Sequence, residues 1–359
     1  MQMHKILSNY ILDGEAISVN EYGNGHINKT FLVTTSNNAK YILQQINCNV
    51  FKNPEDVMRN IELVTDYIRT KVALSNQDSS RAALEIVPTI NFSSYFKTKD
   101  SYWRCYKFIN GAKTYEQIEN PQQFYQVGKA VGRFQRHLKD FPIEKLAITI
   151  PDFHNTPVRF QKFLEVANED RYNRGLGVFN EVKFICDRRH IMGIIMELLE
   201  SGEIPYRVTH NDTKLNNVML DEETDEAICV IDLDTVMPGS VLFDFGDAIR
   251  VGASTAAEDE QDLSKVKLDI ELFTEFSRGF LEETKDFLVP KEIENLVNST
   301  IIITLECGMR FLTDYLDGDK YFRIHRENHN LDRARTQFKL VSEIEKHKDL
   351  LEQIIKSLL

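Results

Sequence analysis

Val208-Thr-His-Asn-Asp-Thr-Lys-Leu-Asn-Asn-Val-Met-Leu220, followed closely by Ala227-Ile-Cys-Val-Ile-Asp-Leu-Asp234, decides how this chain folds. Two short apolar runs, residues 218–220 and 227–231, flank a polar segment at 221–226, a pattern that predicts a β-hairpin. Pairing Val218 with Ile231 sets Asn217 and Asp232 side by side at the open end of that hairpin. The loop carrying His210, Asp212 and Lys214 runs directly into the same end. An amide, two carboxylates and an ammonium therefore converge at the foot of a rigid element.

Phosphoryl transfer needs this set. The transferred group is close to metaphosphate in character, so a protein mostly positions reactants and neutralises charge. Asp212 suits the base that accepts the acceptor hydroxyl's proton, and Asn217 and Asp232 suit a hard cation such as magnesium. Lys214 can add charge at the transferred phosphate. The spacing His-x-Asp-x-Lys-x-x-Asn matches the catalytic loop of the protein-kinase fold, with Asp232 in the later metal-binding position and His210 and Asp244 as structural supports. Asn and Asp are also ordinary turn residues. The gap from Asp212 to Asn217, together with a hairpin ending in Asp-Leu-Asp, favours catalysis over a plain turn.

The chain has 359 residues, enough for two lobes each with its own core. Its 42% hydrophobic and 27% charged content is that of a globular protein. A net charge of −12 argues against nucleic acid or an anionic membrane surface as partner, while leaving room for a local basic site that binds ATP. Cys48, Cys105, Cys186, Cys229 and Cys307 are scattered without a Cys-x-x-Cys pair, which fits reduced thiols in a cytoplasm. The first ten residues lack the apolar run of a signal peptide, and residues 296–312 are too interrupted by polar side chains to span a membrane. A cytoplasmic monomer is expected.

Taken in order, residues 1–20 predict a short helix and connector. Residues 21–35 predict two strands around Gly23-x-Gly25, whose glycines let backbone approach phosphates, and residues 40–47 a third strand. From Asn53 the pattern turns helical, with Val57, Ile61, Val64 and Ile68 on one face and Glu62 beside them. In the protein-kinase fold an acidic residue there pairs with a lysine of the third strand; here that strand position is Gln44. Strands at 87–91 and 102–109 complete a sheet of about five. Backbone near Phe108 could read an adenine edge, and Asn110-Gly111 would be the hinge. The lobes divide as 1–109, nucleotide-binding, and 110–359, catalytic and substrate-binding.

The second lobe reads as helices at 121–138, 153–169, 178–187 and 190–199, the hairpin, a helix start carrying Asp244, Asp247 and Arg250, then helices at 268–283, 291–316 and 333–359. His137, His154 and His190 have no partner at metal spacing and read as structural or surface residues. Glu306, Arg310 and Asp314 recur at i, i+4 and i+8. They make either a salt-bridge ladder or a frame aiming Arg310 at a polar substrate. An aromatic and basic loop follows at 321–329.

The chain resembles the aminoglycoside phosphotransferase and choline kinase superfamily, most closely the bacterial N-acetylhexosamine 1-kinases. The resemblance rests on Tyr22-Gly-Asn-Gly-His-Ile-Asn28, Tyr41-Ile-Leu-Gln-Gln45 and Arg59-Asn-Ile-Glu-Leu-Val64, and most strongly on the stretches 208–217, 231–239, 243–247 and Glu306-Cys-Gly-Met-Arg310. It implies an α+β, bilobal protein-kinase-like fold, and an ATP- and magnesium-dependent enzyme that phosphorylates the anomeric hydroxyl of N-acetylglucosamine or N-acetylgalactosamine in glycan salvage. It further implies that His26, Asp212, Arg310 and Tyr321 contact the sugar. Gln44 occurs in this subgroup too, so the missing lysine need not mean inactivity. Two alternatives stand beside it: a kinase for another small hydroxyl acceptor (a different hexose, homoserine or choline), and a nucleotide-binding pseudokinase. The intact Asp212, Asn217 and Asp232 speak against the second.

Overall fold

The structure, a computed structural model, describes residues 2–23 and 27–359. Helix α1 (Gln2–Leu7) precedes three antiparallel strands, β1 (Ala16–Glu21), β2 (Lys29–Thr35) and β3 (Lys40–Ile46). Helix α2 (Pro54–Leu74), β4 (Phe96–Lys97) and β5 (Tyr102–Lys107) follow. The sheet order is β1-β2-β3-β5-β4. Strand alternation puts Val33, Tyr41, Leu43, Trp103 and Cys105 into one small core. The opposite face carries Thr30, Gln44 and Arg104, which sit directly across from one another in register.

The strand expected at 87–91 does not form. That segment makes only single bridges, Ile86 to Tyr106 and Thr89 to Tyr10, and the fifth strand is Phe96–Lys97. Pro88 has no N–H for a ladder, and Phe92 turns the chain at φ +60°. Helix α2 buries Val57, Ile61, Val64 and Ile68 as its periodicity demands. Its Asn60, also buried, donates to Ala147 and Val236 carbonyls at 2.8 and 2.9 Å, pinning the helix to the larger lobe. Glu62 is exposed.

Past Asn110-Gly111, β6 (Ala112–Lys113) joins the hairpin sheet. Then come α3 (Pro121–Leu138), α4 (Thr156–Glu169), α5 (Phe179–Asp187), α6 (Ile194–Ser201), β7 (Arg207–Thr209), β8 (Val218–Asp221), β9 (Ala227–Val230) and β10 (Met237–Gly239). Helices α7 (Val241–Gly252), α8 (Ile270–Thr284), α9 (Pro290–Glu294), α10 (Leu296–Leu316) and α11 (His329–Ser357) complete the lobe. The single helix expected over 291–316 is two, because Asn295 donates its side-chain amide to the Lys291 carbonyl at 2.9 Å and interrupts the backbone ladder.

Helices α3 and α8 cross backbone to backbone. A Cβ on Gly128 would lie 2.2 Å from the Phe276 carbonyl, and one on Gly279 2.1 Å from that of Tyr125. Helix α10 is buried on nearly every side, and its Ser299, Thr300 and Thr304 hydroxyls donate to carbonyls three or four residues back. Among the described residues no helix is long and apolar enough to cross a membrane. A small antiparallel sheet thus stands on a larger helical body, the α+β arrangement expected from the sequence.

Candidate active site

The hairpin forms, with a register one residue off the expected pairing. Val218 lies opposite Val230, so Asn217 faces Ile231, whose N–H donates to its carbonyl at 2.8 Å, and Asp232 stands one residue beyond. The turn, closed by Asp221 N–H to the Glu226 carbonyl at 2.8 Å, sets the count, and one bulge between Met219 and Leu220 shifts it by one residue. Asp232 adopts φ +60°, which swings Leu233-Asp234-Thr235 back across the loop.

That loop is held from beneath. The Asp244 carboxylate, fully buried at the start of α7, accepts from the His210 N–H (3.0 Å), the Asn211 N–H (2.7 Å) and the Gln135 amide (2.8 Å). Burial raises its pKa against the lowering effect of His210 and these donors. Thr213 donates to the Asp244 carbonyl and Thr235 to that of His210, both at 2.6 Å. His210 accepts the Asp212 N–H at Nδ1 (3.3 Å), which makes Nε2 the donor to the Ile231 carbonyl at 2.8 Å. Asn211 takes the left-handed conformation at φ +65° and donates to the Thr235 carbonyl, so the backbone turns sharply into Asp212.

Lys214 Nζ lies 2.8 and 3.0 Å from the two Asp212 carboxylate oxygens. Burial works to raise the Asp212 pKa, but the Lys214 ammonium, with smaller help from His210 and Arg250, holds it below the usual carboxylate range. Asp212 is therefore ionised at neutral pH and ready to accept a proton. Asn217 donates its amide N–H to the Asp212 carbonyl at 2.8 Å, leaving its side-chain oxygen free as a ligand. Asp232 opens onto the cleft; burial of its charge between the lobes, and then the Asp234 and Asp212 carboxylates, push its pKa up to about 6. Crowded carboxylates of that kind gain from a cation. The described residues offer no group of three carboxylate, His or Cys ligands at metal distance. Asn217 and Asp232 fit magnesium, which takes one or two protein oxygens and fills its shell from water and phosphates.

Above the loop, the third strand carries Gln44 where the protein-kinase fold has lysine. Its amide donates to Thr30 Oγ1 at 3.0 Å and its oxygen accepts from Arg104 Nε at 2.9 Å. Arg104, 1% exposed, ion-pairs through Nη1 with Asp234, and Asn28 donates to the same carboxylate at 2.6 Å. Glu62 is exposed and Gln44 bonds to Thr30 and Arg104 instead, so Glu62 is a solvated helix charge. Phe108, half-buried before the hinge, receives Lys40 over its ring at 5.6 Å and the Tyr22 edge at 6.0 Å. Gly23 takes φ +76° with open space around it, a conformation that favours glycine. Gly25 and His26 lie outside the described residues.

The Glu306–Arg310–Asp314 ladder does not form. Glu306 accepts instead from Thr156 at 2.6 Å and pairs with His154 at 2.9 Å. Asp314 accepts the N–H groups of Lys320, Tyr321 and Phe322 at 2.8–2.9 Å, with Asn330 at 2.9 Å. Side chains of the 154–156 segment take Glu306 and loop backbone donors take Asp314, and Arg310 is left with no hydrogen bond or ion pair among the described residues. Its guanidinium lies 5.4 Å from the Phe153 ring centroid and 5.7 Å from that of Phe322. It connects to the catalytic loop through contacts: His154 packs on Phe153 at 4.7 Å and joins the Asn211 carbonyl at 3.0 Å. Tyr321, 62% exposed, meets Phe322 edge-on at 4.8 Å on the far side. Arg159 is a second cation here; burial lowers its pKa first, and Arg310 lowers it further.

The profile of the phosphotransferase enzyme family matches residues 18–274. The chain belongs to that family. Solved structures similar to this phosphotransferase include a microcompartment-associated aminopropanol kinase, at 16% identity and TM-score 0.65 over 98% of both chains. An amicoumacin kinase is 14% identical, with TM-score 0.61, over 96% of this chain and 92% of its own. Choline kinase from Cryptosporidium parvum Iowa II is 15% identical, with TM-score 0.58, over 99% and 97%. These likenesses give the bilobal aminoglycoside-phosphotransferase-like kinase fold.

Several residues around the phosphotransferase site had no role assigned from sequence. Arg104 carried a readable signal, a basic residue set between the core residues Trp103 and Cys105 of its strand. Asp234, Asn28 and Gln135 act through partners more than a hundred residues away, and spacing cannot show that. Asp247 pairs through Oδ1 with Arg250 at 2.8 Å, while its buried Oδ2 has no protein partner among the described residues.

Proposed function

We propose that this phosphotransferase takes ATP with magnesium and phosphorylates the anomeric hydroxyl of an N-acetylhexosamine, N-acetylglucosamine or N-acetylgalactosamine. The product is the sugar 1-phosphate, and the setting is cytoplasmic salvage of glycans. One observation carries the acceptor assignment: Arg310, a cation held between Phe153 and Phe322 with no hydrogen bond or ion pair among the described residues, one contact chain away from Asp212. A half-buried guanidinium in that state favours a neutral, oxygen-rich acceptor whose amide and hydroxyl oxygens accept its N–H groups. Tyr321 offers a hydroxyl and a flat face beside it. Arg159 and Arg310 together disfavour a cationic amino alcohol, although aminopropanol and choline kinases share the fold. The structure of the amicoumacin kinase with AMP-PNP and Ca2+ supports a nucleotide and a divalent cation in such a cleft.

In this scheme the ionised Asp212 accepts the anomeric hydroxyl proton as the sugar oxygen bonds to the γ-phosphorus and the bond to the ADP oxygen breaks. Lys214 turns from Asp212 toward the charge on the transferred group. Magnesium at Asn217 and Asp232 would neutralise charge on the phosphate oxygens. All five cysteines are free thiols, in keeping with a reducing compartment. The test is incubation with magnesium-ATP and a panel of free sugars and amino alcohols, read by phosphorus and proton NMR. An anomeric phosphate on an N-acetylhexosamine is expected; product only from choline or aminopropanol would overturn the assignment.

A further inference from the structure

The cation that the third strand lacks is present one strand over. Gln44 and Arg104 are directly opposite in the β3–β5 pairing, and both face the larger lobe rather than the small core. Arg104 is 1% exposed, yet its partners leave it incompletely used. Nε donates to Gln44 and Nη1 to Asp234, while Nη2 has no protein partner among the described residues. Asp234 follows the metal-facing Asp232 by two residues, so Arg104 stands between the sheet and the loop that would carry the metal-bound phosphates. Glu62 is exposed, so a third-strand pair with α2 is absent from this site.

From this arrangement we infer that Arg104 is the phosphate clamp of the nucleotide site, with Asp234 as its resident counter-ion and Gln44 as its neutral guide. Arginine presents a planar fork of donors suited to phosphate oxygens, and its charge is permanent. The two N–H groups on Nη2, which make no hydrogen bond among the described residues, would reach the ligand while the ion pair to Asp234 persists. The same pair, with Asn28 on the second Asp234 oxygen, ties the sheet to the metal-bearing loop. Phosphate capture and closure of the two lobes are thus carried by one residue. The inference rests on the nucleotide assignment above.

The experiment is isothermal titration of adenosine, ADP and AMP-PNP, with and without magnesium, into wild type, Arg104→Lys, Arg104→Gln and the charge-neutral pair Arg104→Gln/Asp234→Asn. A thermal melt of each variant checks the fold. Wild type is expected to bind ADP more tightly than adenosine. Arg104→Gln and the double variant should keep adenosine affinity and lose about 10–150-fold for ADP, the size of one charge-assisted hydrogen bond. Arg104→Lys, which keeps the ion pair and with it the fold, should lose part of that preference because it lacks the fork. An unchanged ADP-to-adenosine ratio in Arg104→Lys and in a folded double variant would make Arg104 a strut between the lobes and overturn the inference. Failure of wild type to bind either adenosine or ADP would instead overturn the nucleotide assignment, and the clamp with it.

Discussion

Between Thr209 and Asn217 every polar side chain has a protein partner, whereas in the wall from Arg310 to Tyr321 the guanidinium and the phenol have none among the described residues. The loop is fixed by Asp244 from below and Thr235 from the side, so the Asp212 carboxylate is presented in one geometry. The wall is open chemistry held by apolar packing. Under the proposed function, groups whose hydrogen bonds are complete define the reaction, and groups whose hydrogen bonds are incomplete define which acceptor enters.

The sharpest way to break this contrast is at the base. Asp212→Asn should lower kcat by ~10²–10⁴-fold while nucleotide affinity stays near wild type, measured by steady-state kinetics beside titration of ADP. A variant retaining more than a tenth of wild-type kcat would remove Asp212 from that role. On the wall side, Arg310→Ala should raise the acceptor KM by about 10–150-fold, with the ATP KM and melting temperature hardly moved. A lowered melting point with an ordinary acceptor KM would show that Arg310 is structural after all.

Two smaller effects sharpen the comparison. Asp244→Ala leaves buried donors of His210, Asn211 and Gln135 unpaired, about 1–3 kcal/mol each before relaxation, so melting temperature and kcat should fall together. A loss of stability alone would mean that the loop holds its shape without it. The smallest expected effect lies where the two regions meet, at His154 and Glu306. Burial lowers the His154 pKa, but Glu306 more than offsets this and raises it above 6.5; Glu306 itself is held below 4.5. The pair's stabilisation is fully present below the unfolded histidine value near 6.5 and is lost as pH rises through the raised folded value; on the acid side it fades as Glu306 protonates. The melting-temperature gap between wild type and His154→Gln should therefore be widest near pH 5–6.5 and narrow steadily toward pH 9. A gap independent of pH would show that His154 acts by shape.

The loop from Thr209 to Asn217 was legible in the sequence because its polar groups sit within one short stretch, where spacing alone brings Asp212, Lys214 and Asn217 together. The hairpin was legible as an element and misread in register, since an apolar pattern does not show which residues close the turn. The short edge strand at Phe96–Lys97 was hidden for a related reason: two residues are too few to show alternation. Charge spacing on α10 was visible, but its partners were not. Glu306 and Asp314 bind His154 and loop backbone, groups that no helical periodicity records. Arg104 needed a neighbouring strand to acquire meaning.

Helix α10 has a consequence for how such a site can change. Glu306 is tied through His154 to the backbone of the catalytic loop, and Arg310 follows one turn later, about 6 Å along the axis. Under the proposed function the helix acts as a ruler between the base and its acceptor contact, and a buried ruler cannot stretch. Room for a longer or bulkier acceptor has to come from residues 317–328, whose start is tethered by the Asp314 carboxylate gripping three successive N–H groups. That makes the segment an exchangeable module. Its length and side chains can be rewritten behind a retained Asp314, altering which molecules are accepted while the chemistry one turn away keeps its geometry.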